Sequence, residues 1–485
     1  MRAGSQCVGY RDPGAIRFHD ESQRITERAR QREEDDDVTL MSPPTDHIRN
    51  ISISLHERAA SFLFTHYVRG GSGLPTGSLA FLTHLLPKDS GCLLTPAFHA
   101  LGLASLANIH RSPRLVISAR QEYSVALAAT NAALQDPRRC RTDAAVAAVI
   151  LLAMYGVVTC QSTSIINCWL NHVDGATKLL ELRGSSQVDS PVGLAMFSQL
   201  RLQIVLGNLY RRRHTPGWLL SISQEAISHR TLVDRAQDVF FGLFARVGNL
   251  CAALRDGSIR GPGTRLQTAR QIDAELVEWT RTVHPSCRFT RCSVSDAREL
   301  GLGLPPNVTQ YHVYSDISAH HLWNTYRIVR IVLHELIIKF CQQLQVHLDT
   351  VHPEHASTCT QSIAVSRNLV ADICASVPWV TGTINHESSP RAAGMYRLMW
   401  PLFIAANSVV CGAETWTWIV QCLDQIGYCV GIYQSLTLAQ ILRNGQRDRQ
   451  CDEPDPEDIT LHEKSMRRGR RVGVSVKEAA TVWDE

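Results

Sequence analysis

Few residues in this sequence could do chemistry, and each lacks its complement. His334-Glu335 opens like a zinc-protease helix, where two histidines four apart bind the metal and the glutamate is the base. The position that would hold the second histidine is Ile338, so the pair reads as a surface His–Glu pair. Cys422 and Cys429 stand seven apart, on one helical face, and read as core thiols. Cys287 and Cys292 flank a polar loop with no histidine pair nearby. His352 and His355 flank Pro353 and read as solvated. Gly301-Leu302-Gly303 is a lone GxG with no strand before it. Gly70-Gly71-Ser72-Gly73 is not followed by the Lys-Ser/Thr of a phosphate loop. No GxSxG elbow and no paired-carboxylate motif occurs. The expectation is a protein that is not an enzyme, with no catalytic, cofactor-binding or metal residue in the chain as it stands.

Composition narrows the class further. The 485 residues are 44% hydrophobic and 19% charged, ordinary values for a globular protein with a large core. A net charge of +4 gives no global field for nucleic acid. Fifteen cysteines, an odd number without a CxxC pair, suit a reducing compartment better than a disulfide framework. No charged start followed by an apolar stretch marks a secretion signal.

The elements that must position any site are helices. Thr142-Asp143 is good N-cap chemistry, and Ala144 to Val158 follows without charge or polar face. Such a helix sits in the middle of a larger body, with Val146, Val149, Ile150, Leu151, Leu152 and Met154 buried. Its apolar run of about 15 residues is short of the roughly 20 that a bilayer needs. Next, Trp169, Val173, Ala176, Leu179 and Leu180 recur at helical spacing, Lys178 and Glu181 point elsewhere, and Gly184 ends the helix. Thr95-Pro96, Ser112-Pro113 and Ser190-Pro191 each read as a cap followed by proline at the first helical position. The second opens a stripe of Leu115, Ala119, Tyr123, Leu127, Thr130 and Leu134. Residues 284–310 read as an irregular excursion, a long helix is expected from Ser318 to Leu348, and helical patterns fill Thr360–Val377 and Arg391–Leu442. No stretch reads as a strand. Residues 1–50 and 446–485 are charged and poor in apolar side chains, so both read as disordered. The basic run Lys464, Arg467, Arg468, Arg470 and Arg471 has the density of a nuclear import signal. The expected architecture is all-α, an antiparallel multi-helix bundle or superhelix over 51–445.

Four stretches together resemble the fungus-specific transcription-factor domain of zinc binuclear-cluster regulators. They are Ala119–Asp136; Trp169-Leu170-Asn171-His172-Val173-Asp174-Gly175-Ala176 with Leu182-Arg183-Gly184; Trp323-Asn324-Thr325-Tyr326-Arg327 with Arg330-Ile331 and Leu333-His334-Glu335; and Met399-Trp400-Pro401-Leu402-Phe403-Ile404-Ala405-Ala406. In the last, Ala406 stands where the family has glycine. At the N-terminus, Cys7-Val8-Gly9-Tyr10-Arg11-Asp12 and Phe18-His19-Asp20-Glu21 resemble the join that follows that family's zinc cluster. Cys7 would be its last ligand, and five others would precede it. The resemblance implies a nuclear, regulatory protein, concerned with a metabolic or secondary-metabolite gene set, that forms homo- or heterodimers with related regulators and meets the transcription machinery. Direct DNA binding by this chain alone is not expected, nor is zinc unless an upstream cluster is restored, nor a membrane. The alternative is a helical enzyme or scaffold unrelated to transcription.

Overall fold

The structure is a computed structural model that describes residues 53–69, 77–89, 93–161, 165–293, 303–305, 308–348, 353–383 and 392–451. Cys7 and the basic run 464–471 lie outside the described residues. From Ser54 onward the described residues form one compact unit. It is all-α: fifteen helices, with a single two-stranded sheet among the described residues.

Helix α1 (Leu55–Leu63) opens with a capping box, in which Ser54 and Glu57 exchange hydrogen bonds. A short helix α2 (Leu82–Leu85) leads to α3 (Leu94–His110). The Thr95-Pro96 expectation is corrected here. Helix α3 begins at Leu94 without a cap from its own N-cap residue, and Asp89 does that work from outside. Its carboxylate accepts from the Leu94 and Thr95 amides at 3.1 and 2.9 Å. Ser112 caps α4 (Pro113–Gln135) as expected, and Thr142 and Ser190 cap α5 (Asp143–Thr159) and α7 (Pro191–Tyr210). Helix α6 (Ile165–Arg183) lies between these two and packs on both. Its C-terminal Arg183 reaches back to Asp143, the first residue of α5, at 2.6 Å.

The stripe expected on α4 is only half right. Leu115, Ala119 and Thr130 are buried, but the inner face continues through Ala126 and Ala133, while Leu127 and Leu134 are about 40% exposed. Helix α3, which packs closely on α4, buries Ala97, Ala100, Ala104 and Ala107 beside Leu101 and Leu103. Small buried side chains let the two helices approach, and Leu127 and Leu134 are left outside. On α5, every residue named as core is buried except Val149, which is half-buried against a small void.

Helices α8 (Gly217–Ala226), α9 (Leu232–Arg255) and α10 (Pro262–Thr282) continue the body. Strands β1 (Thr290–Ser293) and β2 (Gln310–Val313) then pair antiparallel, Thr290 opposite Val313 and Ser293 opposite Gln310. This corrects the expectation of no strand. The strands are four residues each and rich in Arg, Gln, Ser and His, so no alternating pattern announces them. What fixes β2 is the ring of His312, fully buried and accepting from Arg327 at 3.1 Å.

Arg327 belongs to α11 (Ile317–Leu348), the longest helix, which packs against α9, α10, α12 (Pro353–Thr381) and α13 (Ala392–Asn407). The stretch expected as one pattern from Arg391 is three helices: α13, α14 (Ala413–Val430) and α15 (Tyr433–Cys451). The last two return to the N-terminal helices, α14 onto α3 and α15 onto α5. Asn108 of α3 bolts this closure, donating at 2.8 Å to the carbonyls of both Val158 and Gly431. Gly431 has φ +72°, and a Cβ there would meet the Ser105 carbonyl at 2.7 Å, so the turn requires glycine. Helices α7 and α12 are long and apolar enough to cross a membrane by length and composition alone. Both contribute heavily to the core, and α7 carries the buried, paired Arg201.

Candidate functional site

The residues singled out for their chemistry do not come together. His334 and Glu335 are not a surface pair. His334 is buried beside Asp273, 3.3 Å away, which also takes two hydrogen bonds from Arg330. Burial would raise the Asp273 carboxyl, but the hydrogen bonds from His334 and Arg330 prevail and hold it down at about 2. Glu335 has no cation beside it among the described residues, and burial pushes it up to about 7. Cys422 is a core thiol as expected, whereas Cys429 is exposed near the end of α14. Cys287 is buried and Cys292 lies on β1, both as free thiols.

One trio was not anticipated. His56, His99 and Glu122 come from α1, α3 and α4, and a ligand atom of each lies within 4.8 Å of the others. His56 Nε2 donates to Glu122 at 2.9 Å, and the two imidazoles pack at 4.7 Å. Three ligands are fewer than a structural zinc takes. The residues are 43 and 23 apart in sequence, so no spacing rule could have paired them.

A second feature is a partly enclosed cavity of about 260 Å³. It is walled by α6, α7, α9, α11 and α13, with the Gly77–Phe81 turn at one side. Three of the four resembling stretches meet here: Trp169 from the second, Thr325 from the third, and Met399, Trp400 and Pro401 from the fourth. Trp169 and Trp400, 231 positions apart, pack with ring centroids at 5.2 Å. Phe240, Phe244, Leu202 and Leu206 extend the apolar wall.

Set into that wall are polar groups that the sequence reading passed over. Arg201 of α7 is buried and ion-paired with Asp238, which also accepts from Arg230 at 3.1 Å. Its guanidinium lies 4.5 Å from the Phe241 ring centre, and its Nε and Nη1 have no hydrogen-bond partner. Arg397 of α13 also lines the cavity. Burial presses its pKa down to about 10, against weak support from Tyr396 and Asp316. Beside it, burial keeps His321 well below its ordinary value and therefore neutral, with Nδ1 unpartnered. Gln434 Nε2 and Ser78 Oγ, also cavity-lining, are unpartnered as well. The signal that could have found Arg201 is its place in the α7 stripe: a cation among Phe197, Leu200, Ile204 and Val205.

Comparison with protein families gives one match: residues 62–210 fit the family model described as the fungal specific transcription factor domain. That stretch runs from the end of α1 to the end of α7 and includes the first two resembling stretches. The family so described is regulatory rather than catalytic. Among curated proteins nothing matches this chain, and no solved structure matches it.

Proposed function

We propose that this chain is a nuclear regulator of transcription whose helical body is the regulatory part. The observation that carries the reading is the match of residues 62–210 to the fungal transcription factor domain. The meeting of Trp169 and Trp400 supports it, because it joins the matched helices to a resembling stretch far outside them. The body works by contact with other proteins: a second copy, a related regulator, or the transcription machinery. The genes it governs are a metabolic or secondary-metabolite set.

Residues 1–40 carry seven arginines against nine acidic residues, so the attraction of this segment for phosphate is largely cancelled.

The test is a fusion of the full chain to an unrelated DNA-binding domain, placed at a reporter gene in a fungal cell. Reporter output several-fold above or below that of the DNA-binding domain alone is the expected result. A folded, nuclear fusion that leaves transcription unchanged would overturn the reading.

A further inference from the structure

We propose that the cavity between α6, α7, α9, α11 and α13 binds a small monocarboxylate on a flat aromatic or alicyclic body, with Arg397 holding the carboxylate. As the signal that controls the regulatory body, this ligand rests on the reading above; as a bound molecule it does not.

The first observation is the state of Arg397. It lines the cavity and forms no hydrogen bond or ion pair with any described residue. The buried arginines, by contrast, have partners: Arg183 has Asp143, Arg201 has Asp238, and Arg327 has the Tyr314 hydroxyl at 2.8 Å and Asn324 Oδ1 at 2.9 Å. Arg397 is half-buried; a partly desolvated cation without a partner is costly, and a carboxylate matches its planar fork with two parallel hydrogen bonds.

The second observation is the sign of what is missing. Among the described residues, no Asp or Glu lines the cavity. Of the unpartnered atoms on cavity-lining residues, Gln434 Nε2, Arg201 Nε and Arg201 Nη1 are donors, and Ser78 Oγ and the neutral His321 Nδ1 can donate or accept. With Arg397 on the wall and no carboxylate beside it, the group that the wall lacks is an acceptor. Asp238 already holds Arg201, which leaves Arg397 as the cavity-lining guanidinium without a hydrogen-bonded partner among the described residues, and one fork matches one carboxylate.

The third observation is the rest of the wall. Trp169, Trp400, Phe240 and Phe244 present ring surface, which suits a flat apolar body. The volume of about 260 Å³ admits a small molecule and not a peptide. A molecule seated there would touch α6 and α7 of the matched segment together with α11 and α13, and so could couple the two halves of the body.

The experiment is titration calorimetry on the purified full chain, with quenching of tryptophan fluorescence, compared between the parent and Trp400→Phe, as a second readout. The probes are benzoate, 1-naphthoate, indole-3-acetate and cyclohexanecarboxylate, each beside its neutral amide. At least one acid is expected to saturate, with its amide about tenfold weaker or more. Arg397→Gln should lose a similar factor while melting no lower than the parent, because it removes an unpaired charge. Arg397→Lys keeps the charge without the fork and should fall between the two. Ala195, exposed on α7 and lining the cavity, stands at its mouth; Ala195→Trp should weaken acid and amide alike. Saturation by none of the four acids, equal affinity for acid and amide, or undiminished binding by Arg397→Gln would each overturn the proposal. Binding and reporter output are separate measurements, so either can fail without the other.

Discussion

Glu335 and Asp273 show how one turn of α11 sets two carboxylates apart. Asp273 faces Arg330 and His334 and stays ionised, whereas Glu335 is buried with no cation beside it among the described residues and is held near 7. For Glu335 the folded value lies above the ordinary 4.5, so the folded state binds the extra proton. Its contribution is fully present below about pH 4.5 and is lost as pH rises through 7. At 1.36 kcal/mol per unit, that loss is about 3 kcal/mol. Glu335→Gln is therefore expected to stabilise the chain at pH 8 by about 2–3 kcal/mol and to flatten stability between pH 5 and 8, as urea unfolding would show. An unchanged pH profile would mean that Glu335 reaches solvent. The His56–His99–Glu122 trio carries its own prediction. Glu122 already holds His56 through a hydrogen bond, and three ligands make an incomplete structural site. Metal analysis of the purified chain is expected to find no stoichiometric zinc; zinc that disappears in His99→Ala would identify the trio as a metal site.

Among the elements, α5 is the one whose burial dictates most of the packing. Val146 is fully buried, so Val146→Asp places an unpaired charge in the core and is expected to leave no cooperative thermal transition. The same change at Val149 should be milder, because that side chain borders a void. The α14–α15 turn offers a sharper test of the closure. Asn108→Ala strands two buried carbonyls and should cost about 1–3 kcal/mol. Gly431→Ala strains a left-handed turn and drives a methyl group into Ser105, so it should cost at least as much. If both variants melt like the parent, the C-terminal helices do not dock on α3 as described.

For the whole molecule, the basic run 464–471 gives the prediction that bears on where the protein works. Replacing Arg467, Arg468, Arg470 and Arg471 with alanine in a fluorescent fusion is expected to reduce nuclear accumulation. Unaltered accumulation would reject this segment as the import signal.

The sequence by itself determined the class of fold. Cap residues and 3.6-residue periodicity are local, and they placed α4, α5, α6, α7 and α11 to within a few residues because each helix satisfies its own backbone. It also determined the resemblance, since the four stretches are read within single helices. Tertiary structure decided what lies between helices. Whether Leu127 or Ala126 faces inward depends on how closely α3 approaches, which hydrophobicity does not encode. The strands β1 and β2 are held by the buried Arg327 network rather than by β-propensity. The cavity was illegible for the same reason: Arg201, His321, Arg397 and Gln434 are ordinary polar letters in four different helices. Their burial, their missing partners and their common wall exist only once those helices pack.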